Sequence, residues 1–247
     1  MRRCMFCPQR ANSKEDLWPK WIVERAPKGI GTFGVRGLHE RIYIPGPGTI
    51  KARVVCRRCN NEWMSRLESS AIPIMGSLMK GLNLELGVAE QATMARWSIK
   101  TAMTFEAQRP TRQRRFYTDE ERRALRSNGI IPRYTVVWTA RYGGRLSANA
   151  EAYDVGGLDE RNILVPGYVT TLAIGNLALQ VVTLRYGGGS IHSEQKPGPW
   201  DASTLQIWPY VGVQRWPPRL SLYDEGALTI DQFDRRWAFG PPHDGWT

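Results

Sequence analysis

The chain has 247 residues, which is long enough for one or two domains with a buried core. Its 34 Lys and Arg exceed its 23 Asp and Glu, so the formal net charge is +11. A cationic surplus of this size favours an anionic partner, of which nucleic acid is the first candidate, although a basic protein can also be merely soluble. No apolar run of about 18 residues is present, which argues against a membrane-spanning helix and a membrane partner.

Four cysteines form two pairs. Cys4 and Cys7, and likewise Cys56 and Cys59, are separated by two residues. This spacing is typical of a four-thiolate Zn²⁺ site, in which two short turns hold one ion. Two redox-active pairs are the alternative, but a thioredoxin-type pair needs no distant second pair. Because the quartet leaves no cysteine for a disulfide, we expect a structural Zn²⁺ and a reducing, cytoplasmic compartment.

The segment between the two pairs combines a short helix with a glycine-rich stretch. Pro19 can stand at the first position of that helix. Residues 29–49 are rich in Gly and Pro, so we predict a loop with one short strand at 42–44. The glycines of 29–34 match a dinucleotide-binding turn in spacing, but no apolar strand precedes them. A plain loop is therefore predicted there.

Two helices are predicted after the second cysteine pair. The first begins at Asn61, and Pro73 is expected to bend or end it. The second, near residues 89–107, carries apolar residues on most sides. A helix of this kind is usually buried, so we expect it in the core.

Residues 109–126 differ in composition, because arginines far outnumber acidic residues there. Thr118 and Glu121 have the spacing of a capping box, which predicts a short helix. Two interpretations of the arginines stay open: an arm that contacts phosphates, or a solvated linker face. These arginines are Arg109, Arg112, Arg114, Arg115, Arg122, Arg123 and Arg126.

The C-terminal half alternates apolar and polar residues with the period of two that is typical of strands. Residues 134–142 form one such run, and 168–174 and 177–186 flank Gly175-Asn176, which suits a two-residue hairpin turn. Weaker patterns predict a strand at 205–213 and a last helix at 229–237. Several tryptophans favour packing or an interface over base stacking. They are Trp200, Trp208, Trp216, Trp237 and Trp246.

These elements together predict an α+β fold with an antiparallel C-terminal sheet. The predicted parts are a four-cysteine zinc finger at residues 1–70, a helical segment at 71–128 and an antiparallel β-rich domain with a terminal helix at 129–247.

Three stretches near the N-terminus carry a more specific pattern: the Cys4–Cys7 pair, the segment 15–21 and the segment 55–64. In this part the chain resembles the zinc-bound HNH endonuclease family. The resemblance implies a treble-clef finger, also called a ββα-metal finger, in which zinc-binding turns frame a hairpin and a helix. It covers only the first quarter of the chain.

The resemblance also implies a catalytic site around Glu15 and Asp16. Family members have an acidic–His pair there, in which the acid helps to hold Mg²⁺ or Mn²⁺ and the His activates water; Asp16 stands in place of that His. Asn60 would support the site, and His39 lies in a loop that could fold back to it. An Asp, with a pKa near 4, is a weaker base than a His near 6.5, so catalysis is left open. Candidate further ligands on the finger helix are Glu62 and Glu68.

Cationic residues gather around the two cysteine pairs. We expect them to contact the phosphate backbone, which provides affinity rather than sequence choice. Arg57 and Arg58 have an alternative role, because they can balance the negative charge of a four-thiolate zinc centre. The predicted nucleic-acid-binding residues are Arg2, Arg3, Lys20, Lys51, Arg53, Arg57 and Arg58.

Two functions from different classes follow from these patterns. The first is a nucleic-acid-binding protein of HNH type, with DNA as the expected partner, which either hydrolyses phosphodiesters with a divalent ion or has lost that activity. The second is a non-enzymatic interaction or scaffold module that docks a protein partner through its Trp-rich β domain.

Overall fold

The computed structural model combines helices with β-sheets, in agreement with the predicted α+β class. It describes residues 3–16, 18–26, 31–35, 41–44, 51–107, 115–144, 148–158, 164–185, 190–193, 202–223 and 237–240. No helix within these ranges is both long enough and apolar enough to cross a membrane.

The helices and strands are numbered in chain order. The helices are α1 (Lys20–Arg25), α2 (Arg57–Cys59), α3 (Ser65–Met79), α4 (Val88–Glu106) and α5 (Asp119–Asn128), and a π-helical turn at Asn60–Met64 joins α2 to α3. The strands are β1 (Ser13–Asp16), β2 (Gly31–Val35), β3 (Arg41–Ile44), β4 (Lys51–Val55), β5 (Leu84–Leu86), β6 (Thr135–Tyr142), β7 (Ala148–Leu158), β8 (Leu164–Ile174), β9 (Leu177–Leu184), β10 (Ser190–Ser193), β11 (Thr204–Trp208), β12 (Gln214–Trp216), β13 (Ser221–Leu222) and β14 (Trp237–Gly240).

One large sheet has the strand order β11-β6-β9-β8-β7-β2-β3, and β13 also pairs with β6. Most neighbouring strands are antiparallel, whereas β2 runs parallel to β7 and β13 parallel to β6. The predicted β8–β9 hairpin is confirmed, because Ile174 pairs with Leu177 across Gly175-Asn176. Gly175 has a φ of +54°, a left-handed conformation that glycine adopts without a steric penalty.

The prediction for residues 29–49 is partly wrong. The expected strand at 42–44 is confirmed as β3, but residues 31–35 form a second strand, β2, where a loop was predicted. β2 lies between β3 and β7, so both of its edges make ladder hydrogen bonds. This pairing with distant strands outweighs the low strand propensity of its glycines.

Helix α4 lies between α3 and the large sheet, where it contacts β7, β8, β9 and β11. Its Trp97, Ile99 and Phe105 are fully buried, which confirms the predicted core helix. A single buried cluster extends from Phe6 through these helices to Leu172 of β8. The domain boundaries at residues 70 and 128 stay predictions.

Three predicted element ends need correction. Of the two outcomes expected at Pro73, a bend or an end, the end is wrong: α3 continues to Met79, because burial of Met75 and Leu78 on the same helix offsets the one hydrogen bond that a proline cannot donate. Strand β11 ends at Trp208 rather than at 213, since Pro209 follows it and has no N–H for the ladder. Trp237 starts strand β14 rather than ending a helix, and residues 229–236 lie outside the described ranges.

The capping box of α5 is confirmed. Glu121 N donates to Thr118 Oγ1 at 3.2 Å, and Thr118 N donates to Glu121 Oε2 at 2.8 Å. The Arg122 side chain is buried and forms an ion pair with the buried Glu106, so it is neither a phosphate contact nor part of a solvated face. Its neighbour Arg123 is exposed and pairs with a carboxylate of its own helix. Residues 109, 112 and 114 lie outside the described ranges.

Candidate metal centre

The first cysteine pair lies in a tight turn near the start of the chain. A β-bridge between Arg3 and Arg10 closes this turn, and Cys4 N donates to Gln9 O at 2.7 Å. Cys7 occupies the middle of the turn and is partly exposed, whereas Cys4 is buried. The turn therefore presents two sulfur atoms from four consecutive residues.

The second pair lies where β4 passes into α2. Cys56 is the N-cap of α2, and its Sγ accepts a hydrogen bond from Cys59 N at 3.4 Å. Strand β4 pairs with β1, and Met5 N donates to Val54 O at 2.9 Å. These bonds hold the first turn beside the second.

The four Sγ atoms all lie within 4.8 Å of one another, and those of Cys7 and Cys56 are 3.5 Å apart. A tetrahedral ion with sulfur ligands at about 2.3 Å requires sulfur–sulfur separations of about 3.8 Å. The observed spacing needs only small side-chain movements to reach that geometry. The quartet Cys4, Cys7, Cys56 and Cys59 is thus able to bind a metal ion, as predicted.

The close spacing of these four thiols shifts the pKa values of Cys4 and Cys59 in opposite directions. A hydrogen bond from the Cys59 side chain lowers the pKa of Cys4 to about 5, while the same contact raises the pKa of Cys59 far above its ordinary value. One thiolate is therefore favoured, and its negative charge opposes ionisation of its neighbours. A bound cation would instead favour the thiolate form of all four cysteines, because it stabilises every thiolate that coordinates it.

Polar and aromatic contacts hold both turns from outside. Asn12 Oδ1 accepts a hydrogen bond from Arg57 N at 2.9 Å, which satisfies one free amide at the start of α2. The rings of Phe6 and Trp63 meet edge to face, with centroids 4.8 Å apart. The cysteine quartet therefore lies against well-packed side chains.

Glu15 and Asp16, the predicted catalytic acids, face opposite sides of β1, as consecutive strand residues do. Glu15 is only 5% exposed and points into the molecule, where its Oε1 lies 3.4 Å from Lys100 Nζ. Asp16 lies on the outer side, where its Oδ1 is 3.2 Å from Lys51 Nζ. The two acids therefore form ion pairs with different lysines, on opposite sides of β1.

Lys100 of α4 was not identified from the sequence. Its side chain is 2% exposed, and Nζ also lies 3.0 Å from Glu68 Oε1 and 5.6 Å from the centre of the Trp97 ring. Burial raises the pKa of Glu15, and it lowers that of Lys100, but the two carboxylates outweigh this effect and raise the Lys100 pKa above its ordinary value. A lysine inside an otherwise apolar helix pattern was the available signal, because such a charge needs a buried partner.

The other residues named for the catalytic site have separate contacts. Asn60 Nδ2 donates to Ser13 Oγ at 2.9 Å and to the backbone oxygen of Lys14 at 3.4 Å, so it joins the π-helical turn to β1. Glu62 is exposed and pairs with Arg58 at 3.3 Å. His39 lies outside the described residues. The catalytic roles stay predictions.

The predicted nucleic-acid-binding residues are exposed wherever the structure describes them, and Arg2 lies outside the described ranges. Among the described residues, Lys20, Lys51 and Arg58 form ion pairs, with Glu24, Asp16 and Glu62 respectively. The sequence analysis missed three further exposed cations beside them. These are Arg10, Lys14 and Arg66.

The comparison of the whole chain with protein-family models, curated proteins and solved structures gives no match.

Proposed function

We propose that this chain is a zinc-containing nucleic-acid-binding protein whose N-terminal finger contacts the phosphate backbone. One observation carries the proposal: the four cysteines bring together segments that carry exposed cations on the first cysteine turn and on β1, β4, α2 and α3. In residues 3–16 and 51–66 there are eight Lys and Arg and three Asp and Glu. We call this group the cationic face; its members are Arg3, Arg10, Lys14, Lys51, Arg53, Arg57, Arg58 and Arg66.

The proposed ion is Zn²⁺, and the proposed finger is a treble clef. Four thiolates in a tetrahedral arrangement are typical ligands of structural zinc. The chain order also supports a treble clef, because the Cys4–Cys7 turn is followed by the paired strands β1 and β4, and Cys56–Cys59 then begins a helix. The ion would contribute folding energy and hold the two turns together.

Charge repulsion within the cationic face supports an anionic partner. Arg3 and Arg10 are directly opposite each other in their β-bridge, which is unfavourable for two like charges. Lys51 and Arg53 are two residues apart on β4 and are both exposed, so they lie on the same outer side of the β1–β4 pair. A phosphate chain along this side would offset the positive charge of Lys51 and Arg53. Contacts of this kind read charge and spacing rather than base sequence.

Binding without hydrolysis is the form of the proposal that the contacts favour. Glu15 and Asp16 point to opposite sides of β1, and each is paired with a lysine, so they do not converge on one ion. The expected partner is duplex DNA. RNA duplexes and single strands share the same phosphate chemistry and are compared in the same titration.

The test is a fluorescence-anisotropy titration of the zinc-loaded full chain against a DNA duplex at several salt concentrations. Affinity should fall steeply with salt, and R53S and R57S should each reduce the salt slope by about 1. Arg215→Ser is the matched control, because this arginine of β12 is also highly exposed but lies outside the cationic face. Equal slopes for all three variants, or no complex at low salt, would overturn the proposal.

Zinc content separates phosphate contact from the alternative role of Arg57. If Arg57 only balances the thiolate charge, R57S should lose zinc and leave the salt slope of the loaded fraction unchanged. A plasmid assay with Mg²⁺ or Mn²⁺ tests the absence of hydrolysis. Nicking that an E15A/D16A variant abolishes would identify a nuclease instead.

Protein docking is the second candidate, and one observation favours it. Leu82, Val88, Tyr210, Val211 and Val213 are large apolar residues, each between two fifths and two thirds exposed, beside the paired strands β5 and β12. The tryptophans are weaker candidates, because Trp216 is buried and Trp208 packs against the core. If the salt titration finds no nucleic acid complex, this apolar surface becomes the better explanation of function.

A further inference from the structure

The pocket that holds Glu15 contains two carboxylates and one ammonium group. Glu15 comes from β1, Glu68 from α3 and Lys100 from α4. Nζ of Lys100 lies 3.4 Å from Glu15 Oε1 and 3.0 Å from Glu68 Oε1. Two oxygens from different elements thus converge on one point, and a cation already occupies that point.

We infer that Lys100 provides the permanent cation of this pocket, in place of the divalent ion that the HNH resemblance assigns to Glu15. A buried carboxylate requires a counter-ion, because its desolvation is otherwise too costly. The Lys100 side chain, 2% exposed, meets this requirement for the buried Glu15 and for Glu68, whose side chain is 21% exposed. The ammonium is covalently attached, so no ion needs to be recruited from solution.

The surroundings of Nζ suit an ammonium and do not suit Mg²⁺ or Mn²⁺. These ions bind about six oxygens at about 2.1 Å and keep several waters. Here the two carboxylate oxygens are 3.0 and 3.4 Å from Nζ, and the ring of Trp97 lies 5.6 Å away. An aromatic ring can accept a cation at its face but cannot replace a water ligand. With Lys100 present, the pocket therefore does not fit a hydrated divalent ion.

Removal of the lysine side chain should convert the pocket into a metal site. In K100A we expect the two carboxylates to keep their positions on β1 and α3, and the space of three methylenes and the ammonium becomes available to an ion and its waters. Oxygen ligands prefer hard ions, and the soft thiolates of the cysteine quartet do not compete for Mn²⁺. This inference concerns the interior of the molecule and does not depend on nucleic acid binding by the cationic face.

The test is a titration of the zinc-loaded full chain with Mn²⁺, followed by the loss of the electron paramagnetic resonance signal of free Mn²⁺. We expect K100A to bind one additional Mn²⁺ with a Kd on the order of 10⁻⁴ M, the weak end of the range for oxygen-ligand sites. The matched controls are K100R, which retains a cation, and K100A/E68Q, which lacks a carboxylate. Both should bind Mn²⁺ at least about tenfold more weakly, as should the unchanged protein.

Two results of the titration would overturn the inference: folded K100A without additional Mn²⁺ binding, or Mn²⁺ binding by the unchanged protein that E15Q abolishes. If K100A does not fold with zinc alone, its circular dichroism decides the matter. Addition of Mn²⁺ should then restore the folded spectrum in K100A and not in K100A/E68Q. A spectrum that Mn²⁺ leaves unchanged also overturns the inference.

Discussion

Lys100 Nζ lies 3.4 Å from Glu15 Oε1, although the two residues are 85 positions apart in the chain. This contact joins the β1 strand beside the cysteine turns to the core helix α4. It makes Glu15, which the sequence predicted as a metal ligand, one member of a buried ion pair, and its catalytic role stays a prediction. The first two predictions concern this pair.

Replacement of Lys100 by Met should destabilise the protein strongly. Methionine keeps much of the apolar stem but leaves Glu15 and Glu68 without a cation, and the loss of one partner of a buried pair costs about 3–5 kcal/mol. Urea unfolding of the zinc-loaded protein measures the change. Lys20→Met is the matched control, because that side chain is 86% exposed and its pair with Glu24 contributes about 1 kcal/mol or less. Equal losses for the two variants would contradict a buried, paired Lys100.

The stability of the protein should depend on the protonation of Glu15. Burial raises the pKa of Glu15 above its ordinary value of 4.5, so the folded state binds its proton more tightly than the unfolded state does. This contribution is fully present below pH 4.5 and is lost as the pH rises through the raised folded-state value. Relative to E15Q, the unchanged protein should therefore lose unfolding free energy as the pH rises from 4.5.

The comparison with E15Q cancels the effect of acid on the cysteine ligands, which both proteins share. Chemical denaturation at a series of pH values measures the difference between them. A difference that is constant would contradict a raised pKa of Glu15, and one that grows in favour of the unchanged protein as the pH rises would show that the Lys100 pair outweighs burial.

Each chain should contain one tightly held zinc ion. Cys59 is fully buried, and its replacement by Ser should abolish zinc binding and lower the melting temperature, because the ion that holds the two turns together is then lost. Elemental analysis of the purified protein and thermal unfolding with and without a chelator measure these effects. Ser69→Ala, an exposed change on α3, is the control and should retain the metal. Full zinc content in C59S would exclude the four-thiolate site.

Two glycine-to-alanine changes should shift the free energy of unfolding in opposite directions. At Gly175, with φ at +54°, an added Cβ would meet Met79 O at 2.7 Å, so G175A should cost at least about 1–3 kcal/mol. At Gly76 of α3 the nearest atom, Arg25 Cδ, would lie at an ordinary 3.8 Å, and G76A should stabilise by about 0.5–1 kcal/mol. Urea denaturation compares both with the unchanged protein. Stabilisation by G175A would contradict the close approach of α3 to the β8–β9 turn.

Local sequence patterns were sufficient to predict several elements and the cysteine quartet. The Thr118–Glu121 capping box depends on atoms three residues apart, and the β8–β9 turn depends on Gly175 and its neighbours. The two cysteine pairs each form within a short turn, and the pairing of β1 with β4 and a few hydrogen bonds between the turns bring them together. Interactions over a few residues are encoded directly in the order of the residues.

The sequence by itself therefore determined the mixed helix-and-sheet class, the cysteine quartet and the buried helix α4. The tertiary structure alone decided that β2 joins the large sheet, that Arg122 is buried against Glu106, and that Lys100 meets Glu15. The physical reason is the same in each case. A strand edge or a buried charge must find its partner somewhere in the chain, and the residues next to it carry no record of which distant segment that partner comes from.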